Sequence, residues 1–289
     1  MSRFERCLSL CFLVALVAAA PACKRGGETT VSPTIGRRAA THEAAVRILE
    51  VRDEYRFAAD GSYVRTTTQK YEILTQDGVE GWGTTGVAYS PWYMERPELT
   101  ATVTSPGGDK AELDPSTIAE SPAYPSAPDI YSDARILRAP LPNVTVGAIV
   151  EEKTVVRTTK AFFAGGSAHS MLVQSGVARD AVELVIDLPD SLPFEFEIRD
   201  ADIAMKERRE GGRRVIAFSG GPYAALENPE PYLPKDVATW PEVQFSTGTS
   251  WQAIAKEYGE IVDDKLRGFS VPADAMKGLD RRASTRDKA

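Results

Sequence analysis

The sequence predicts an all-β protein: an antiparallel β-sandwich, with enough strands for two lobes and a short C-terminal helical segment. Three observations predict it. Apolar and polar residues alternate with a period of two from about His42 onward. Turn signals such as Asp60-Gly61, Ser105-Pro-Gly-Gly-Asp109 and Glu210-Gly-Gly212 recur between the runs. A helical period appears only near residue 250.

Residues 44–57 and 63–74 alternate on either side of Asp60-Gly61 and read as a long hairpin, since Thr, Tyr and Val suit a pleated, half-buried surface. Asp77-Gly78 marks the next turn. Residues 99–104 form a clean alternation, and 111–113 return beside them. Residues 116–142, rich in Pro, Ser and Asp, read as a long irregular loop, followed by a strand within 147–158. Val182, Leu184, Ile186 and Leu188 share one strand face, and Phe194, Phe196 and Ile198 share the next. Residues 203–208 and 213–218 form a further hairpin.

The folded body is expected over 42–234. Residues 220–248, with their prolines, read as extended chain, and 235–248 as a linker. Residues 249–289 are expected to be helical at their start. Trp251, Ile254, Ala255, Tyr258, Ile261, Val262 and Leu266 recur at helical spacing, Thr249 and Gln252 have the spacing of a capping box, and Gly268 supplies the stop. Residues 272–289 are polar and could start a second helix.

Residues 1–22 read as a signal peptide: Arg3 and Arg6, an apolar run of 14 residues from Cys7 to Ala20, then the small residues Ala20 and Ala22. That run is short of the roughly 20 residues a spanning helix needs. Cys23 directly after this site resembles the bacterial lipobox, although Ala20 stands where that pattern prefers Leu. Cys23 is expected to be lipidated, with 23–41 as a flexible tether rich in Gly, Ser, Thr and Pro. Lys24 rather than Asp after the lipidated Cys favours the outer membrane over retention at the inner one.

The 289-residue chain carries a net charge of −7. It has no dense Lys/Arg run, which argues against a nucleic-acid partner. Removal of Arg3, Glu5 and Arg6 makes it one charge more acidic, so a membrane partner would be held by lipid and not by headgroup charge. The three cysteines are Cys7, Cys11 and Cys23. The body beyond them has no thiol, which excludes a disulfide framework and a cysteine nucleophile within it.

Four segments carry a resemblance. They are Asp60-Gly-Ser-Tyr-Val-Arg65; Tyr71-Glu-Ile-Leu-Thr75 with Asp77-Gly78; Ser105-Pro-Gly-Gly-Asp109; and Tyr131-Ser-Asp-Ala-Arg135 running on to Leu141-Pro142 and Gly147-Ala-Ile-Val-Glu151. In this order the body, from about His42 to Pro234, resembles a bacterial envelope domain of unknown function, number 3857, which usually precedes a transglutaminase-like domain. The resemblance implies that a Trp-containing helix such as that at Trp251 leads into a core bearing a Cys, a His and an Asp. With no Cys after Cys23, that triad maps to no position here.

His42 and His169 are the only histidines. His42 borders the tether, and His169 lies in the Gly-rich stretch Gly165-Gly-Ser-Ala-His-Ser170, read as a loop whose serines are turn chemistry rather than nucleophiles. No spacing suits zinc, and neither a metal nor a cofactor is expected. Asp109, Glu112 and Asp114, and Asp129 and Asp133, read as solvated turn carboxylates. Trp82, Tyr89, Trp92 and Tyr93 crowd a Gly- and Pro-containing segment and form the candidate contact surface.

The expected function is a non-catalytic cell-envelope lipoprotein domain that binds or positions a transglutaminase-like protein or a cell-surface polymer. The alternative is the N-terminal fragment of a transglutaminase-like cysteine peptidase whose catalytic domain is missing. A carboxylate-only enzyme is a third reading, since acids paired in a cleft are invisible in sequence. Intact-mass spectrometry of the exported protein is expected to show an acylated Cys23 as its first residue; an unacylated N-terminus refutes the anchor.

Overall fold

Alternation of the kind seen at residues 44–57 buries one side of a strand and wets the other, and the computed structural model is built from such strands. It describes residues 43–124, 132–163, 166–227, 240–248, 250–268 and 270. In chain order the strands are β1 (Val46–Phe57), β2 (Tyr63–Ile73), β3 (Thr84–Tyr89), β4 (Glu98–Thr104), β5 (Lys110–Glu112), β6 (Ala119–Pro122) and β7 (Arg135–Pro140). They continue with β8 (Ile149–Arg157), β9 (Ala168–Leu172), β10 (Val182–Pro189), β11 (Glu195–Arg199), β12 (Ala204–Glu210), β13 (Arg213–Gly220) and β14 (Glu242–Ser246). Two helices, α1 (Gln76–Trp82) and α2 (Trp251–Leu266), complete the described elements.

One layer is an eight-stranded sheet in the order β12-β13-β10-β1-β2-β8-β4-β5. Every pairing in it is antiparallel except β1 with β10, which run parallel from Val51↔Val182 to Arg56↔Asp187. The second layer is two separate three-stranded sheets, β3-β7-β6 and β11-β14-β9. The protein is therefore all-β with two lobes on a shared sheet.

Strand β2 shows how the lobes divide. Its inward positions, two residues apart, are Tyr63, Arg65, Thr67, Gln69, Tyr71 and Ile73. At one end Tyr71 and Ile73 join a core with Val46, Ile48, Leu99, Val103, Val150, Ala139 and Leu141. At the other, Tyr63 packs on a core of Tyr55, Phe57, Leu184, Ile186, Phe218, Met171, Val243 and Phe245. Each buried side chain of this size contributes about 1.5–3 kcal/mol.

Between the two cores lies a polar band. Asp53, only 4% exposed, stands opposite Thr67, which stands opposite Thr154; Gln69 stands opposite Glu152. Arg65 donates to Asp53 from Nε (3.1 Å) and Nη2 (2.7 Å), and the Thr67 hydroxyl donates to the same carboxylate. Glu152 accepts from the Tyr71 hydroxyl at 2.6 Å and from Thr85 Oγ1 at 3.0 Å. The opposite face of the large sheet is charged and solvated, with pairs such as Arg52–Glu183 and Lys70–Glu151. Strand β12 is exposed along its whole length and forms one edge of that sheet.

Several expectations are corrected. The described residues within 116–142 are not one loop: β6 and β7 lie among them, and Leu137, Ala139 and Leu141 are buried at period two beneath a Pro- and Ser-rich composition. Residues 242–246, expected within a linker, form β14, the central strand of its sheet, because Val243 and Phe245 alternate inward with almost no exposure. His169 lies on β9 and not in a loop. Asp77-Gly78 sits in the first turn of α1, capped by the Thr75 hydroxyl, which accepts from Gly78 N at 3.2 Å. Helix α2 is capped by Ser250 and not Thr249: Ser250 Oγ accepts from Ala253 N at 3.1 Å. The signal segment, Cys23, the tether and residues 272–289 lie outside the described residues.

Phe245→Ala is expected to lower the unfolding free energy by about 3–5 kcal/mol, as for a buried aromatic in any core, measured by urea denaturation. A loss within about 0.5 kcal/mol would restore the linker reading.

Candidate ligand cavity

Two backbone segments meet beside the second lobe. Residues 90–95 form a turn, with Met94 N donating to Ser90 O at 2.9 Å. Glu95 N then donates to Arg157 O at 2.9 Å and Thr159 N to Tyr93 O at 2.8 Å, which ties this turn to the end of β8. The chain after β8 carries Phe162 and Phe163. The rings cluster: Trp92–Phe162 at 5.0 Å, Tyr93–Phe162 at 5.1 Å, Trp92–Tyr93 at 5.5 Å and Phe162–Phe163 at 4.5 Å, all close to edge-on. Such geometry sets positive ring edges on negative faces and adds about 0.5–1.5 kcal/mol per pair beyond burial. Lys160 Nζ lies 4.4 Å above the Trp92 ring.

Tyr93, Phe162 and Phe163 of this cluster wall a cavity of about 700 Å³. Tyr63, Tyr93, Phe162, Phe163, Trp251 and Ile254 give it an apolar lining, and Ser167, His169, Glu195, Ser246 and Ser250 give it polar groups. Trp251, the first residue of α2, is 83% exposed. Gly166, at φ +127°, makes the wall possible: a Cβ there would lie 1.9 Å from Gly248 Cα. Volume and lining match those of a small-molecule or polymer-segment site.

At its inner end, Ser167 Oγ lies 2.8 Å from His169 Nε2 and 3.1 Å from Thr247 Oγ1, and Thr247 is almost fully buried. Ser167 and Thr247 are held in register by Thr247 N donating to Ser167 O at 3.0 Å. The imidazole is enclosed by Tyr55 at 5.1 Å, Tyr63 at 5.0 Å and Phe245 at 5.0 Å, the last nearly parallel to it. Burial, and secondarily the Arg65 guanidinium, lower its pKa from the ordinary 6.5 to about 4. A hydroxyl–imidazole pair is the geometry of an activated serine. The electrostatics oppose that role: a base works best with a pKa near the operating pH, and among the described residues no carboxylate hydrogen-bonds the ring. Burial also raises the Tyr63 and Tyr93 phenols, so both stay neutral hydroxyls at physiological pH.

Only part of the predicted surface assembles here. Tyr93 lines the cavity, and Trp92 (37% exposed) supports it by packing edge-on against Tyr93 and Phe162. Trp82 instead packs on Tyr71, 5.1 Å between centroids, against the first core, and Tyr89 is buried at 7% exposure. The first acidic cluster is spread over β5 and its flanks: Glu112 ends the strand, and Asp114 accepts from Ser116 N at 2.8 Å, which holds its carboxyl below the usual range. Asp133 accepts from Trp92 N at 3.0 Å and so helps fix the aromatic turn. Asp129 and His42 lie outside the described residues. Sequence reading missed Tyr63, Phe162, Phe163, Ser167 and Trp251 as neighbours. The one local signal was the pair Phe162-Phe163 next to glycines.

Because the His169 pKa is depressed in the folded state, the unfolded chain takes up the proton first. The resulting stability is fully present above about pH 6.5 and is lost as pH falls toward 4. Urea denaturation across this window is expected to show a shallower pH dependence for His169→Phe than for the parent, and ¹⁵N NMR should place the ring titration near pH 4. A midpoint near 6.5 would refute the buried, neutral assignment.

Comparison with known proteins places the chain. In the solved structures, a "putative protease" from Parabacteroides distasonis ATCC 8503 superposes with a TM-score of 0.68 at 15% identity, over 85% of this chain and 49% of that one. The chain thus spans about half the length of that protein, and at this identity the likeness speaks for the fold alone. No curated protein matches the sequence. The profile of a domain of unknown function with solved structure, DUF3857, matches residues 59–227, which run from the β1–β2 turn past β13. That match covers more than half of the 289 residues, and the chain belongs to the DUF3857 family.

Proposed function

We propose that the protein is a non-catalytic cell-envelope module, anchored through lipidated Cys23, that binds a cell-surface polymer in the aromatic cavity and positions a transglutaminase-like or other protease partner. The carrying observation is the cavity itself: five aromatic rings converge on hydroxyl groups, beside an imidazole whose pKa near 4 makes it a poor base. Flat apolar rings with neutral donors suit the faces and edges of sugar or peptide units, and they supply affinity without a nucleophile. Association with a protease is supported by the fold neighbour from Parabacteroides distasonis, 49% of which this chain covers.

A serine hydrolase is the second reading, favoured by the 2.8 Å contact between Ser167 and His169. The two readings separate cleanly. Purified full-length protein is expected to co-sediment with isolated cell-wall sacculi. Trp251→Ala and Phe162→Ala should each weaken that binding about tenfold, equivalent to about 1.4 kcal/mol, with little change in Tm because both side chains are more than a third exposed. Fluorophosphonate is expected not to label Ser167. Unchanged binding by the variants refutes the cavity as the site, and labelling that vanishes in Ser167→Ala establishes the hydrolase instead.

A further inference from the structure

The polar band in the middle of the large sheet is the floor of a second concavity. It has a volume of about 370 Å³ and is lined by Arg65, Thr67, Gln69, Glu152 and Thr154 below and by Gly86, Val87 and Ala88 at the side. The side wall is the edge of β3, which pairs with β7 alone. The register tells which of its backbone groups are used. Leu141 N donates to Gly83 O at 2.9 Å, so Gly83, and with it Thr85, Val87 and Tyr89, occupy the hydrogen-bonded positions opposite β7. Thr84 faces Pro140, which has no N–H to give, consistent with the same phase.

The N–H and C=O groups of Thr84, Gly86 and Ala88 therefore point away from β7. Among the described residues no backbone group pairs with them, and all three residues are exposed. Gly86 keeps this edge close to its neighbour, since a Cβ there would lie 2.6 Å from Leu137 O. An open strand edge beside a row of side-chain hydrogen-bonding groups is complementary to one kind of ligand: a peptide in extended conformation. Its main chain would complete the β3 ladder, and alternate side chains would face the floor.

We propose that the cleft between the lobes binds an extended peptide by strand addition to β3, with Thr84, Gly86 and Ala88 exchanging backbone hydrogen bonds with it. Floor-facing positions of the peptide opposite Gln69, Thr67 and Thr154 take polar side chains, because these residues offer amide and hydroxyl partners, whereas the end lined by Tyr63, Met94 and Val156 takes an apolar one. The four residue steps from Thr84 to Ala88 correspond to a reach of about 13 Å at about 3.3 Å per residue. This site is independent of the aromatic cavity and does not rest on polymer binding there.

The test uses the full-length protein and a phage-displayed random heptapeptide library. Enriched peptides, resynthesised, are expected to slow hydrogen exchange of the Gly86 and Ala88 amides at least tenfold. N-methylation of alternate peptide amides is expected to abolish binding to the unaltered protein, which needs no variant to fold. Ala88→Pro removes an outward N–H and leaves the β7 ladder intact, so binding should fall at least tenfold while the Tm is unchanged. The proposal is overturned if no peptide is enriched or if enriched peptides leave those two amides exchanging as before. It is also overturned if N-methylation has no effect, or if the two amides are already protected in the protein alone.

Discussion

A carboxylate buried in the middle of a sheet shapes this molecule. Asp53 is 4% exposed on the same strand face as Tyr55 and Phe57, where an unpaired charge would cost several kcal/mol. Two donors from Arg65 and one from Thr67 satisfy it, and Arg65 in turn lies 5.2 Å from the centroid of Tyr55. A guanidinium held in this way must keep part of itself in water. The face of the large sheet is therefore not sealed by one continuous second layer. It is sealed twice, by two short sheets, with a gap over the polar band. The same guanidinium suppresses the basicity of His169, which links the floor of the gap to the chemistry of the aromatic cavity.

The strands of the large sheet were legible because each carries its own alternation and is bounded by turn residues. β1, β2, β4, β5, β8, β10, β12 and β13 all fall within or beside the runs read from sequence. Of the covering sheets only β11 was legible, through the alternation of Phe194, Phe196 and Ile198. β9 and β14 pair through Phe245↔His169, and residues so far apart in the chain give no local cue to each other. β6 and β7 are short and their apolar positions are diluted by Pro, Ser and Arg. Tertiary partners, and not propensity, make these segments strands.

The cavity was half legible for the same reason. Trp92 and Tyr93 stand out as adjacent aromatics in a turn, and the structure keeps them together. Trp82 and Tyr89 belong to the same crowded segment, but α1 carries Trp82 against the first core and β3 buries Tyr89 beside Glu120. Phe162 and Trp251 arrive from distant parts of the chain. The pairing of Ser167 with His169 shows the converse limit: spacing alone suggests a nucleophile, whereas the rings around the imidazole decide its protonation.

Strand β12 has a consequence for how the protein behaves in company. Lys206, Glu207, Arg208, Arg209 and Glu210 line one margin of the main sheet with both signs of charge, and their neighbours across β13 include Arg213 and Arg214. A second copy approaching that margin would have to match an irregular sequence of charges before any main-chain bond could form. The molecule can thus be densely packed without growing into ribbons at this margin, and this colloidal protection leaves the inner edge of β3 as the better-suited place for a strand to join.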